Sequence, residues 1–121
     1  MSWDASLSRS ATDEDEWNYT HNCNHMANAV LYPDFDTSRT VFSELLDPQC
    51  PSWWQLLDGL DGPESRRLLD RVITGMRAEP ARFRAMNPSN GWGDYDRFLR
   101  VLERMRAAIP ESGTVRWIVS G

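Results

Sequence analysis

The most regular pattern in the chain is an apolar stripe near its C-terminal end, where Tyr95, Phe98, Leu99, Leu102, Met105 and Ile109 recur at three- and four-residue steps. Asp94 stands where an N-cap belongs and Pro110 closes the run, so the spacing predicts an amphipathic helix with one face committed to a core. A second stripe, Leu68, Leu69, Val72, Ile73 and Met76, follows the cap Asp61-Gly-Pro-Glu64 and stops at Pro80. Arg66, Arg67, Arg71 and Arg77 surround its solvent side. Helices of this kind need a second layer to cover their apolar faces.

Strand patterns near the chain ends supply that layer. Trp17-Asn-Tyr-Thr-His-Asn22 alternates large flat side chains with small polar ones. Thr114-Val-Arg-Trp-Ile-Val119, entered through Ser112-Gly113, sets Val115, Trp117 and Val119 on one face. Pairing the two segments predicts an α+β fold: a small two- or three-stranded antiparallel sheet formed by the chain ends, covered by two longer and two or three short helices. The short helices are expected from Asn24 (Met26, Ala29, Val30), over residues 37–47 (Phe42, Leu45, Leu46, ended by Pro48), from the capping box Ser52-Trp-Trp-Gln55, and over residues 81–86 around Phe83.

Residues 1–16 are small, polar and acidic, with only Trp3 and Leu7 to bury, and end in Asp13-Glu-Asp-Glu16. That composition predicts a mobile N-terminal arm at 1–16 and a single compact domain at 17–121, with the arm dispensable for stability. A chain of 121 residues and 14.0 kDa suits one such domain. Charge is divided unevenly: residues 1–61 hold eleven acids and two arginines, net −9, and residues 62–121 hold seven acids and eleven arginines, net +4. With a pI near 4.9 and no dense basic run, the long-range field opposes nucleic acid. The N-terminus lacks a basic segment followed by an apolar one, and no apolar run approaches the roughly 20 residues of a membrane helix. The expected location is the cytoplasm, where Cys23 and Cys50 are free thiols or metal ligands.

Chemistry concentrates in Asn18-Tyr-Thr-His-Asn-Cys-Asn-His-Met-Ala-Asn28, which holds four of the six asparagines, both histidines and one of the two cysteines. The loop Asn87-Pro-Ser-Asn-Gly-Trp-Gly93 holds the other two asparagines. One junction ends the first strand and the other precedes the last helix, so both are expected at one edge of the sheet. Amides with donor and acceptor beside flat rings suit a nucleobase, a nucleotide signal or a peptide backbone. The predicted ligand-binding set is Tyr19, His21, Asn22, Asn24, Asn87, Asn90, Trp92 and Tyr95. The plainer alternative has Asn22 and Asn24 capping a helix, Asn87 and Asn90 satisfying loop amides and Trp92 plugging the core.

Two further chemistries are open. His21, Cys23, His25 and Cys50 are every imidazole and thiol in the chain, and His-x-Cys-x-His on an extended strand sets three zinc ligands on one face. Against this, Cys23 and Cys50 serve equally well as small buried hydrophobes. A thiol nucleophile would need His21 or His25 as base and Asp34 or Asp36 to orient it, and neither cysteine opens a helix from a small-residue turn. Asp94 and Asp96 diverge on a helix and are better explained as solvated caps.

The Asn18-Tyr-Thr-His-Asn22 segment with Met26, and Asn87-Pro-Ser-Asn-Gly-Trp-Gly-Asp-Tyr95 followed by the Val115-Arg116 strand, resemble a family of short uncharacterised proteins of actinobacteria and their phages. The resemblance spans about residues 17–119 and brings no established activity. Cys23 and His25 occupy positions that its pattern leaves open, which argues against a shared metal site. Together these features predict a small non-enzymatic binding protein, an accessory factor of phage or mobile-element origin that takes a small molecule or blocks a host protein. The competing classes are a zinc protein, hydrolytic in one version, and an acidic immunity or inhibitor protein for a basic partner.

Overall fold

The computed structural model describes residues 2–10, 13–33, 45–47, 50–111 and 114–121, with backbone alone at 8–10, 13–15, 21, 45–47 and 50. The elements run β1 (Ser2–Ser10), β2 (Asp13–Thr20), a 3-10 turn (His21–Cys23), α1 (Asn24–Leu31), β3 (Leu45–Asp47), β4 (Cys50–Pro51), α2 (Trp53–Leu57), α3 (Gly62–Ala78), α4 (Pro80–Arg84), α5 (Tyr95–Ala108) and β5 (Arg116–Ser120). The fold is α+β as expected, with three longer helices rather than two.

The N-terminal residues are not a mobile arm. They form β1, the central strand of a three-stranded antiparallel sheet ordered β2-β1-β5. Trp3, Ala5 and Leu7 alternate with Ser2, Asp4 and Ser6, and the first three are buried. The few apolar residues that suggested disorder are all on one face, and each is in the core. β2 and β5 therefore do not pair with each other, as their patterns suggested. Ala5 faces Trp17 on one side and Val119 on the other. Its small side chain leaves room for the Trp17 and Trp117 rings to meet across the central strand, with centroids 5.4 Å apart. The proposed boundary at residue 16 falls inside β2, which ends at Thr20 rather than Asn22.

The helices cover this apolar face. α5 reaches β2 through Phe98, whose ring stacks on Tyr19 at 5.8 Å, and Trp53 meets both Trp3 and Phe98 edge-on. α1 approaches α3 closely at Gly75, where an added Cβ would lie 2.5 Å from Val30 Cγ1. The helix expected over 37–47 is not seen in its described part, because residues 45–47 are extended and pair with β4; residues 37–44 and Pro48 lie outside the described residues.

The two edges of the sheet differ. On β5, Gly59 N donates to Trp117 O (2.8 Å) and Trp117 N to Leu60 O (3.0 Å), while Val119 N donates to Asp58 Oδ1 (3.0 Å). Main-chain groups alternate sides along an antiparallel strand. Since Trp117 and Val119 point outward, β5 bonds β1 through Arg116, Ile118 and Ser120, and β1 turns Trp3, Ala5 and Leu7 toward β2. By the same alternation, the main-chain groups of Glu14, Glu16 and Asn18 point away from the sheet. Among the described residues no strand lies beyond them.

Deletion of residues 1–10 is expected to abolish cooperative unfolding in a circular-dichroism melt, because it removes the strand to which both others bond. A truncated chain melting cooperatively near the full-length temperature would exclude this topology. Gly75→Ala should lower stability by up to about 2 kcal/mol, the net of an overpacking cost of about 1–3 kcal/mol and a helix-propensity gain of about 1 kcal/mol. A stabilised variant in urea titration would show that α1 and α3 are not in contact there.

Candidate functional site

The two asparagine-rich junctions meet beside the end of β2. The Tyr19 hydroxyl accepts from Asp94 N (3.1 Å), with its own O–H toward Asp94 O (3.5 Å). Asn22 Nδ2 donates to Trp92 O (3.2 Å). The His25 Nε2–H donates to Met86 O (2.9 Å), a carbonyl that can only accept, so this bond fixes the tautomer. Gly93, at φ +99°, lets the loop come this near: a Cβ there would lie 2.6 Å from Thr20 Cγ2 and 3.0 Å from Cys23 Sγ.

Most of the expected ligand-binding groups are engaged inside the protein. Asn24 Oδ1 accepts from Trp53 Nε1 (2.8 Å), Asn87 Oδ1 from Tyr95 N (2.8 Å) and Asn90 Oδ1 from Trp92 N (2.9 Å). The buried Tyr95 ring stacks on Phe83, and its hydroxyl donates to Met76 O (2.9 Å). Burial raises the pKa of both Tyr19 and Tyr95. The His21 side chain lies outside the described residues. Trp92 does not plug the core as the alternative supposed, for 70% of it is exposed. Gly91, at φ +76°, and Gly93 turn the backbone on either side of it.

Asn28 is the polar residue that sequence reasoning left out of the site. Fully buried, it donates through Nδ2 to Ser52 Oγ (3.1 Å) and accepts at Oδ1 from Trp53 N (2.9 Å). It lies one helical turn after Asn24, and that i, i+4 spacing on one helix face was the available signal. Together the two side chains hold the start of α2. The predicted capping box contributes through Gln55 Oε1, which accepts from Ser52 N (2.9 Å).

The zinc and nucleophile readings meet specific obstacles. The backbone is helical from residue 21, so His21, Cys23 and His25 do not share one face of a strand. Cys23 is a buried free thiol whose pKa burial, and then the Asp94 charge, pushes up to about 12. It is held as the neutral thiol, the wrong form for a nucleophile. The Cys50 side chain, with Asp34 and Asp36, lies outside the described residues. Among the described residues no three His, Cys, Asp or Glu side chains are grouped to hold a metal ion. Asp94 is a cap as expected, accepting from Arg97 N (2.8 Å), whereas Asp96 pairs with Arg84, which holds its carboxyl below the ordinary value. No described helix is long and apolar enough to cross a membrane. No protein-family model, curated protein or solved structure matches the chain.

His25 makes the junction sensitive to acid. Burial lowers its pKa, opposed by the carbonyls of Met86 and Asn22, and its Nδ1 has no hydrogen-bond partner in the neutral ring. The unfolded ring protonates near its ordinary 6.5, so below that pH the unfolded state holds more protons. This contribution is complete above the unfolded value and is lost as pH falls through it. The melting temperature should fall as the pH drops below about 6.5, and His25→Gln should flatten that fall. A wild-type melting temperature that stays level or rises on acidification would contradict the assignment.

Proposed function

We propose that the chain acts by binding, and that its contact point is Trp92, an indole held outside the fold by a loop fixed on both sides. The carrying observation is the combination of 70% exposure with main-chain bonds at both Trp92 N and Trp92 O. Exposing a tryptophan forgoes roughly 1.5–3 kcal/mol of burial. A rigid loop lowers the ordering cost of binding, and tryptophan is among the residues enriched at interface hot spots.

The polar surroundings indicate the partner. Asn87 and Asn90 use their Oδ1 atoms on main-chain amides, so the spare capacity of each lies in its Nδ2 donors, and the indole of the same loop adds an N–H donor. A surface of donors around one ring suits an apolar cleft rimmed by carbonyls or carboxylates. That description fits a host protein better than a small molecule, because Asn22, Asn24 and Tyr19 each commit a side-chain polar group within the fold. The resemblance to short actinobacterial and phage proteins extends the proposal to an accessory factor that blocks its partner.

Trp92→Ala should leave the melting temperature within about 2 °C, the effect of a surface change. It should remove the partner that wild-type protein captures from host extract, while Trp92→Phe retains part of the capture. Equal capture by wild type and Trp92→Ala would end the proposal.

A further inference from the structure

The outer edge of β2 carries a second contact surface. Glu14, Glu16 and Asn18 each turn an N–H and a C=O away from β1, as the alternation set by Trp117 and Val119 requires. The opposite edge of the sheet is covered by residues 58–61, through Gly59, Leu60 and the Asp58 carboxylate. Among the described residues no strand pairs with this edge of β2, and an unpaired strand edge is a template for another extended segment. The sequence along this edge is Asp13-Glu-Asp-Glu16. A depression of about 380 Å³ opens on the adjoining face of β1 and β2, lined by Asp4, Ala5, Glu16, Trp17 and Asn18; Asn18 Nδ2 donates to one oxygen of Asp4 there (2.7 Å), which leaves the other Asp4 oxygen and the Glu16 carboxylate to face a cation.

We propose that β2 receives an extended basic segment of a partner protein as a fourth strand, antiparallel or parallel, with an arginine or lysine seated between Asp4 and Glu16. Main-chain bonds to Glu14, Glu16 and Asn18 provide the pairing, and the acidic run selects the sign of the partner's charge. A second copy of this chain is disfavoured, because β2 against β2 sets one acidic run beside another. The surface uses no residue of the Trp92 loop and stands whether or not that loop binds anything.

The test uses the full chain and a short synthetic peptide alternating arginine and valine, with the same peptide carrying glutamate for arginine as control. Calorimetry should detect only the arginine peptide, with affinity falling as salt rises. Hydrogen exchange followed by NMR should show the amides of Glu14, Glu16 and Asn18 fast in the free chain and slowed on binding. Glu16→Pro removes an outward N–H and no bond to β1, so it should keep the fold and weaken binding at least about tenfold. Glu16→Gln should weaken it by a smaller factor and reduce the salt dependence. Equal binding of both peptides, or binding that leaves those three amides unprotected, overturns the proposal. So does protection of the same amides in a free-chain dimer. The exchange measurement uses the unaltered chain, so it decides the question even if the proline variant misfolds.

Discussion

Everything in the sheet depends on β1 lying between β2 and β5. Neither outer strand bonds to the other, and the Trp17–Trp117 contact exists only because Ala5 lies beneath it. The pairing of Ala5 with Val119 joins residues from opposite ends of the chain. Closing so long a loop has an entropic cost before any contact offsets it. The β1–β2 hairpin, by contrast, is local, with Ser10 opposite Asp13. Local pairing and helix formation can therefore precede the arrival of β5, and the cover over its outer edge at Gly59 and Leu60 completes only when that strand is in place.

The second organising constraint is polar. α1 buries Asn24, His25 and Asn28 together with apolar Met26 and Ala27. Buried amides of this kind destabilise a core unless their hydrogen bonds are made. Here Asn28 acts on the first turn of α2 from another helix, and Asn24 holds the Trp53 indole that α2 presents to Trp3 and Phe98. The aromatic centre of the core and the amide cluster are thus one construction. Replacing Asn28 by an apolar residue would leave Trp53 N without an acceptor, the costly half of breaking a hydrogen bond.

Legibility in the sequence followed how much of each decision was local. α3 and α5 were readable because stripe, cap and proline stop agreed, and Asp61 and Asp94 do accept from Glu64 N and Arg97 N. The meeting of the two asparagine junctions was readable from connectivity. β1 was not read, since Ser2, Asp4 and Ser6 on its outer face lower the mean hydropathy to that of a tail. Only the strict alternation of Trp3, Ala5 and Leu7 carried the signal, and tertiary burial decided its meaning. The alternative that sets Trp92 in the core fails for the opposite reason, because a large ring suggests core while the positive φ of Gly91 and Gly93, which turns it outward, is not written in composition.

The same asymmetry separates the asparagines of the core from those of the loop. Asn24 and Asn28 are enclosed and shape the core, whereas Asn87 and Asn90 are exposed and shape a loop whose only large apolar group faces solvent. If the loop served stability alone, its best use of an indole would be to bury it, as the chain does with Trp3, Trp53 and Trp117. Instead Asn22, Asn90 and two left-handed glycines hold the backbone so that the ring stays out. Ordered hydrogen bonds around an exposed ring contribute little to the core, and they restrict the freedom that binding would otherwise have to remove. That distribution of order is what distinguishes a presented side chain from a merely exposed one.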